Sequence, residues 1–189
     1  MAIADFKTPK KPSREPRTKR PAKLPTKRRL GNIAAYYLKR FSSSSANLRQ
    51  VLRRRVLKMT VEKPELRAEA YVAIDEIVIA LVANGTVNDE LYAEGRVRFD
   101  QALKKPRAKT IAKLRAKGVA KEIIQKAIAN ESGADSDFQA GLAIARRRRL
   151  GPYRTTARTR ETDHRDIGVL ARAGLDFATA KRVMAWSEK

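Results

Sequence analysis

Three runs of cations are the side chains whose type and spacing point to chemistry: Arg53-Arg54-Arg55, Lys113-x-Arg115-x-Lys117 and Arg146-Arg147-Arg148-Arg149. Guanidinium and ammonium groups bind phosphates and carboxylates, Arg through a planar fork and Lys as a point charge. Each run also has a plainer reading. Three consecutive arginines spread around a helix, so at most two of Arg53 to Arg55 face any one partner. Arg146 to Arg149 fall in a last helical turn, where each cation meets the helix dipole for roughly 0.3–1 kcal/mol. Lys113, Arg115 and Lys117 lie on the polar side of Ile111 and Leu114, which is by default a solvated face. Tyr36, Tyr37 and Tyr153 have the rings to stack on bases, although the spacing of the first two with Ile33 favours a core position.

Covalent chemistry finds no such support. The chain has no Cys, which excludes disulfides, thiolate catalysis and Cys-based zinc sites. Its single His, His164, stands beside Asp163 and Asp166 and reads as an exposed surface residue. Asp75-Glu76 and Asp89-Glu90 are adjacent pairs, so their carboxylates point to different parts of a helix instead of converging. No phosphate loop, dinucleotide fingerprint, H-E-x-x-H or G-x-S-x-G is present. The expectation is a binding protein with no catalytic residues, no metal and no cofactor.

The whole chain agrees. Its 189 residues carry 43 Lys+Arg against 20 Asp+Glu, a formal charge of +23 that calls for polyanionic company, nucleic acid above all. Such a charge also opposes close self-association, so a monomer is expected. Hydrophobic residues make up 42%, enough for a core. The longest apolar run, Ile77 to Ala83, is far short of the ~20 residues that span a bilayer. No apolar h-region marks the N-terminus for secretion, and the expected setting is the cytoplasm with no membrane contact. Residues 1–29 hold 11 Lys+Arg and five of the eight prolines. Proline every three to five residues blocks helix, so a disordered basic tail is expected. It reads equally as a phosphate-binding arm, an arm for an acidic partner, or a solubilising leader.

The elements that must position the cations read as helix after helix. Leu30 to Phe41 shows Ile33, Tyr36, Tyr37 and Phe41 on one face. Four serines, 42 to 45, then cap a segment with Leu48, Val51, Leu52 and Val56. Pro64 opens a third segment that stops at Asn84-Gly85, and its middle, Ile74 to Val82, is apolar on most sides, as for the most buried helix. Asn88-Asp89 starts a helix to about Ala102 with Leu91, Ala93 and Val97 inward. Ala108–Lys117, Lys121–Asn130 and Asp135–Arg149 follow, the last stopped by Gly151-Pro152. A hydroxyl-rich loop, Thr155 to Asp163, precedes Arg165–Ala173 and Phe177–Trp186. No alternating stretch is long enough for a strand, so the fold class is all-α.

The segments repeat. Ile111-x-x-Leu114-x-x-x-Gly118-Val119 overlays Ile167-x-x-Leu170-x-x-x-Gly174-Leu175. Leu48, Val51 and Val56 fit the same frame at an offset of 63, with Arg55 in place of the glycine. Leu91, Ala93 and Val97 match Phe138, Ala140 and Ile144. Three tandem three-helix repeats forming an elongated curved array account for this, with units at 30–86, 87–133 and 134–189. Helix, glycine turn and helix in a basic protein also suggest tandem helix-turn-helix DNA readers. Lys121-Glu122 and Phe177-Ala178-Thr179 are poor base-reading first turns.

Four segments carry a family resemblance. Phe41-Ser42-Ser43-Ser44-Ser45-Ala46-Asn47-Leu48-Arg49-Gln50-Val51-Leu52 resembles the opening repeat of the RecX family. Asn88-Asp89-x-x-Tyr92-Ala93 is similar to the start of that family's second repeat, and Leu114-Arg115-Ala116-Lys117-Gly118-Val119 to its central motif. Arg146 to Tyr153, followed by Leu170-Ala171-Arg172-Ala173-Gly174-Leu175, resembles its third repeat. The match spans about residues 30–187 in order. The resemblance implies three three-helix repeats. It also implies a partner, RecA and its filament on single-stranded DNA, and inhibition of filament extension, ATP hydrolysis, strand exchange and SOS co-protease activity. Weak DNA binding is expected besides. The runner-up is a non-specific nucleic-acid-binding protein.

Overall fold

The computed structural model describes residues 24–131, 133 and 135–187. These form nine α-helices and no strand: α1 Lys27–Leu38, α2 Ser45–Met59, α3 Arg67–Ala83, α4 Asp89–Ala102, α5 Arg107–Ala116, α6 Lys121–Glu131, α7 Ser136–Arg148, α8 Arg160–Arg172 and α9 Phe177–Met184. Residues 1–23, most of the expected tail, lie outside the described residues.

Capping explains where the helices depart from expectation. The Thr26 side chain accepts from the Arg29 N–H, so α1 begins at Lys27, three residues early. Thr159 and Thr162 form a capping box that starts α8 at Arg160, inside the stretch expected to be a loop. Two inward faces also differ. On α1 the buried residues are Leu30 and Ala34, and Tyr36 is 65% exposed because α3 lies on the other side of the helix. On α3, Ala70, Ile74 and Val78 are buried while Val72, Ile79 and Val82 are exposed. The described residues give α3 neighbours on one side only, from α1 and α2. Leu91 of α4 is exposed too, and Asp100 takes an inward place instead.

The interior divides into three clusters, one per helix triplet. Leu30, Leu48, Leu52, Val56 and Ile74 anchor α1–α3; Ala93, Val97, Leu114 and Ile124 anchor α4–α6; Ile144, Leu170, Leu175 and Val183 anchor α7–α9. In each triplet the first helix packs on the third. Leu52, Leu114 and Leu170 are each fully buried and mark the same place in the three second helices. That alignment moves the first repeat by one residue from the expected frame: Leu52, not Val51, stands opposite Leu114. The half-buried Val51 leaves the seam to Leu52, one residue further round the helix.

The triplets are joined end to end through their second helices, and the two joints are built alike. At the first, the Ser45 N–H donates to Asp89 Oδ1 at 2.7 Å and its hydroxyl to Oδ2 at 2.9 Å. At the second, the Arg107 N–H donates to Asp137 Oδ1 at 2.8 Å and its Nε to Oδ2 at 3.0 Å. Ser45 and Arg107 each open their helix, and each aspartate sits in the first turn of the next triplet's first helix. One carboxylate thus faces two helix N-termini, where negative charge is favourable. The closing turns match as well. A Cβ on Gly118 would stand 2.5 Å from that of Ala46, and one on Gly174 would stand 3.4 Å from that of Ala108. Both glycines have positive φ, 71° and 105°. The C-terminus of α8 therefore meets the N-terminus of α5, and the C-terminus of α5 meets the N-terminus of α2, where the Ser44 hydroxyl donates to the Lys117 carbonyl. Opposite dipole ends abut along the array.

Candidate nucleic-acid interface

Cations already engaged by the fold must be separated from those left over. Asp100 and Asp166 are buried carboxylates and collect several donors. Asp100 accepts from Lys105 at 2.9 Å and from Arg96 and Lys113 at 3.2 Å, with the Thr110 hydroxyl at 3.3 Å. Burial pushes the Asp100 carboxyl up. The hydrogen bonds from Lys105 and Lys113, with the charges of Arg96 and Lys113, outweigh that and hold it below the ordinary Asp range. Asp166 accepts from the Gly151 N–H at 2.9 Å and from Arg154 Nη2 on both oxygens, at 2.6 and 2.7 Å. Each aspartate braces the connection from the first to the second helix of its triplet. Asn47 does the same in the first, donating to Ser43 and Tyr37.

The ten residues singled out from sequence fall into two groups. Arg53 reaches Asp75 at 3.5 Å and lies over the Tyr71 ring. Lys113 serves Asp100, and the Lys117 ammonium donates to Asn47 Oδ1 at 3.0 Å across the first joint. These three are held by the fold. Arg54 bonds only to its neighbour Gln50, at 3.0 Å, and Arg54 and Arg55 line a shallow groove on α2 with Lys58. Arg115 borders a hollow between α5 and α6 with Arg107 and Lys121. Arg146, Arg147, Arg148 and Arg149 are exposed and have no ion pair among the described residues. The structure does not gather the seven into one patch; it distributes them over the three triplets.

Sequence reasoning missed two pairs of cations at the C-terminal ends of the first helices. Lys39 and Arg40 close α1 and Lys104 and Lys105 close α4, in the place that Arg146 to Arg149, singled out already, take at the end of α7. Aligning the triplets by their first helices would have shown this row, since basic residues recur there. The exposed rings of Tyr36, Phe41 and Phe99 lie at the first two of these ends. Arg40 stands over Tyr36, and Arg96 and Lys105 stand over Phe99. Tyr153 is instead half-buried against the α7–α9 cluster. Tyr92 is half-buried as well; burial pushes its phenol up, partly offset by Arg96. Among the described residues no group of three His, Cys, Asp or Glu side chains is placed to hold a metal ion. None of the described helices is long and apolar enough to cross a membrane.

No protein-family model matches this chain. The regulatory protein RecX of Myxococcus xanthus is 40% identical over 177 residues, covering 93% of this chain and 92% of that protein. This chain belongs to the RecX family. The regulatory protein RecX of Agrobacterium fabrum is 30% identical over 166 residues, covering 85% and 86% of the two chains. Two RecX crystal structures share the fold. That from Lactobacillus salivarius superposes with a TM-score of 0.64 at 18% identity, over 84% of this chain and 94% of its own. A second has a TM-score of 0.65 at 17% identity, over 85% and 72%.

Proposed function

We propose that this protein regulates RecA, mainly as an inhibitor, by lying along the RecA–single-stranded DNA filament and limiting its extension. ATP hydrolysis, strand exchange and SOS co-protease activity would fall as a consequence. Membership of the RecX family over 93% of the chain carries the reading. The geometry supports it: an end-to-end array with uncommitted cations on every triplet suits a ligand that repeats along its length. Many weak contacts to one filament gain from effective concentration. The protein would act as a monomer in the cytoplasm, without chemistry of its own, and any change in ATP turnover would belong to RecA.

The test is RecA ATP hydrolysis on preassembled single-stranded DNA filaments, titrated with this protein at near-physiological salt. A peptide of residues 1–29 controls for charge competition. A fall in rate well below one copy per RecA, absent with the peptide, is expected. The uncommitted cations also favour a second reading, a protein that coats bare nucleic acid. In that case the rate falls only once the DNA itself is saturated, by either agent.

A further inference from the structure

Two residues other than glycine have positive φ among the described residues, Lys104 at 49° and Arg149 at 54°. Both are basic and exposed, and neither has an ion pair among the described residues. Both occupy the same place: each follows the first helix of its triplet, α4 or α7, where a left-handed residue ends the helix. The hydrogen bonds around them agree, from the Lys105 N–H to the Asp100 carbonyl and from the Leu150 N–H to the Ala145 carbonyl. The other described residues with positive φ are glycines, at 85, 118, 151 and 174, and three of them, 85, 118 and 174, likewise follow a helix. A Cβ there is sterically unfavourable, and glycine removes that strain. Two consecutive triplets nonetheless carry a long cation, which points to a use for the side chain itself.

The surroundings specify the ligand. Phe99, 54% exposed, lies five residues before Lys104 and carries Arg96 and Lys105 of the Asp100 cluster against its ring; Tyr36 and Phe41, 65% and 55% exposed, flank Lys39 and Arg40 at the matching end of α1. Exposed rings beside cations that have no ion pair among the described residues, Lys39, Arg40 and Lys104, suit bases that are unstacked and phosphates that are regularly spaced. An acidic protein surface would use the charges and leave the rings idle. The α1 and α4 ends adjoin the two joints, which the ten residues of α5 separate by about 15 Å.

We infer that Lys104 and Arg149 are phosphate contacts of a single-stranded nucleic-acid track that runs along the first-helix ends, with Phe99 and Tyr36 stacking on bases. The inference deepens the proposed function by naming how the protein meets the strand within the filament. It is tested on the full chain with a fluorescein-labelled oligothymidylate, by anisotropy across a salt series, and by thermal melting followed by circular dichroism. Lys104→Asn with Arg149→Asn keeps a residue tolerant of positive φ and removes the charge. The double variant should bind roughly tenfold more weakly, with the slope of log K against log salt shallower by about 1.4. Lys104→Gly with Arg149→Gly should lose the same affinity while melting higher. Phe99→Ala should bind roughly fivefold more weakly or worse with the slope unchanged. Wild-type affinity and slope in both double variants overturns the inference, whether or not the glycine pair melts higher. A wild-type protein that leaves RecA turnover untouched overturns the proposed function instead, and the oligonucleotide result is read separately from it.

Discussion

At the scale of single residues, Asp100 shows how the chain handles its excess of positive charge. Its carboxylate has no exposure, while Arg96, Lys105 and Lys113 each keep part of their length in water. Removing it leaves three cations crowded around Thr110 with nothing between them. Asp100→Asn should destabilise the protein by about 2–3 kcal/mol, less than a deeply buried pair because the cations reach solvent. Urea unfolding at pH 7 measures this. The carboxyl is held below its ordinary range when folded, so its contribution is complete above about pH 4 and fades as pH falls through the folded value. The gap between wild type and variant should therefore narrow on acidification. A gap that widens below pH 4 would contradict the assignment.

At the scale of elements, the joints decide which glycines matter. Gly85 and Gly118 have nearly the same φ, 74° and 71°, but a Cβ on Gly85 meets nothing within 4 Å while one on Gly118 meets Ala46. Gly85→Ala should cost about 1 kcal/mol, the backbone term alone. Gly118→Ala should cost roughly 1–3 kcal/mol more, because the α2–α5 joint must open. Ala46→Gly in the same chain should recover part of that extra cost, and a double-mutant cycle on urea midpoints measures it.

The glycine at 118 was legible from the sequence; what it accommodates was not. The pattern Ile111, Leu114, Gly118 shows helix, stop and helix, since periodicity and turn chemistry are local. That Ala46 lies beneath the turn depends on a contact 72 residues away, which no local pattern encodes. The same holds for the cations. Lys113 and Lys117 were visible as basic, but their commitment to Asp100 and Asn47 is tertiary. Lys104 escaped notice because its distinction is a backbone angle. The apolar middle of α3 predicts the most buried helix because hydropathy records what a helix is able to bury, but Val72, Ile79 and Val82 stay exposed where no described helix packs.

At the scale of the whole molecule, each triplet has its own core and meets the next through a short list of groups: an aspartate, the first N–H of a second helix, an alanine and a glycine. The parts are interchangeable in kind, as Ser45 and Ala46 at one joint correspond to Arg107 and Ala108 at the other. Deleting residues 45–106 joins Ser44 directly to Arg107, keeps the second joint intact and gives α5 a serine cap. The shortened chain should remain helical by circular dichroism and melt cooperatively, at a lower temperature than the full chain. Removing two further residues inside α5, Lys109 and Thr110, should abolish folding, since it turns Leu114 by about 200° relative to Arg107 and Ala108, so that the core and the joint cannot both form.

This has a bearing on ancestry. Because a duplicated triplet arrives with both halves of a working seam, copying a gene segment of that length adds a unit without needing a new interface. Copies of any other length bring mismatched ends. Chains built this way should vary in size by whole units, like words gaining or losing a syllable, and seldom by fractions of one.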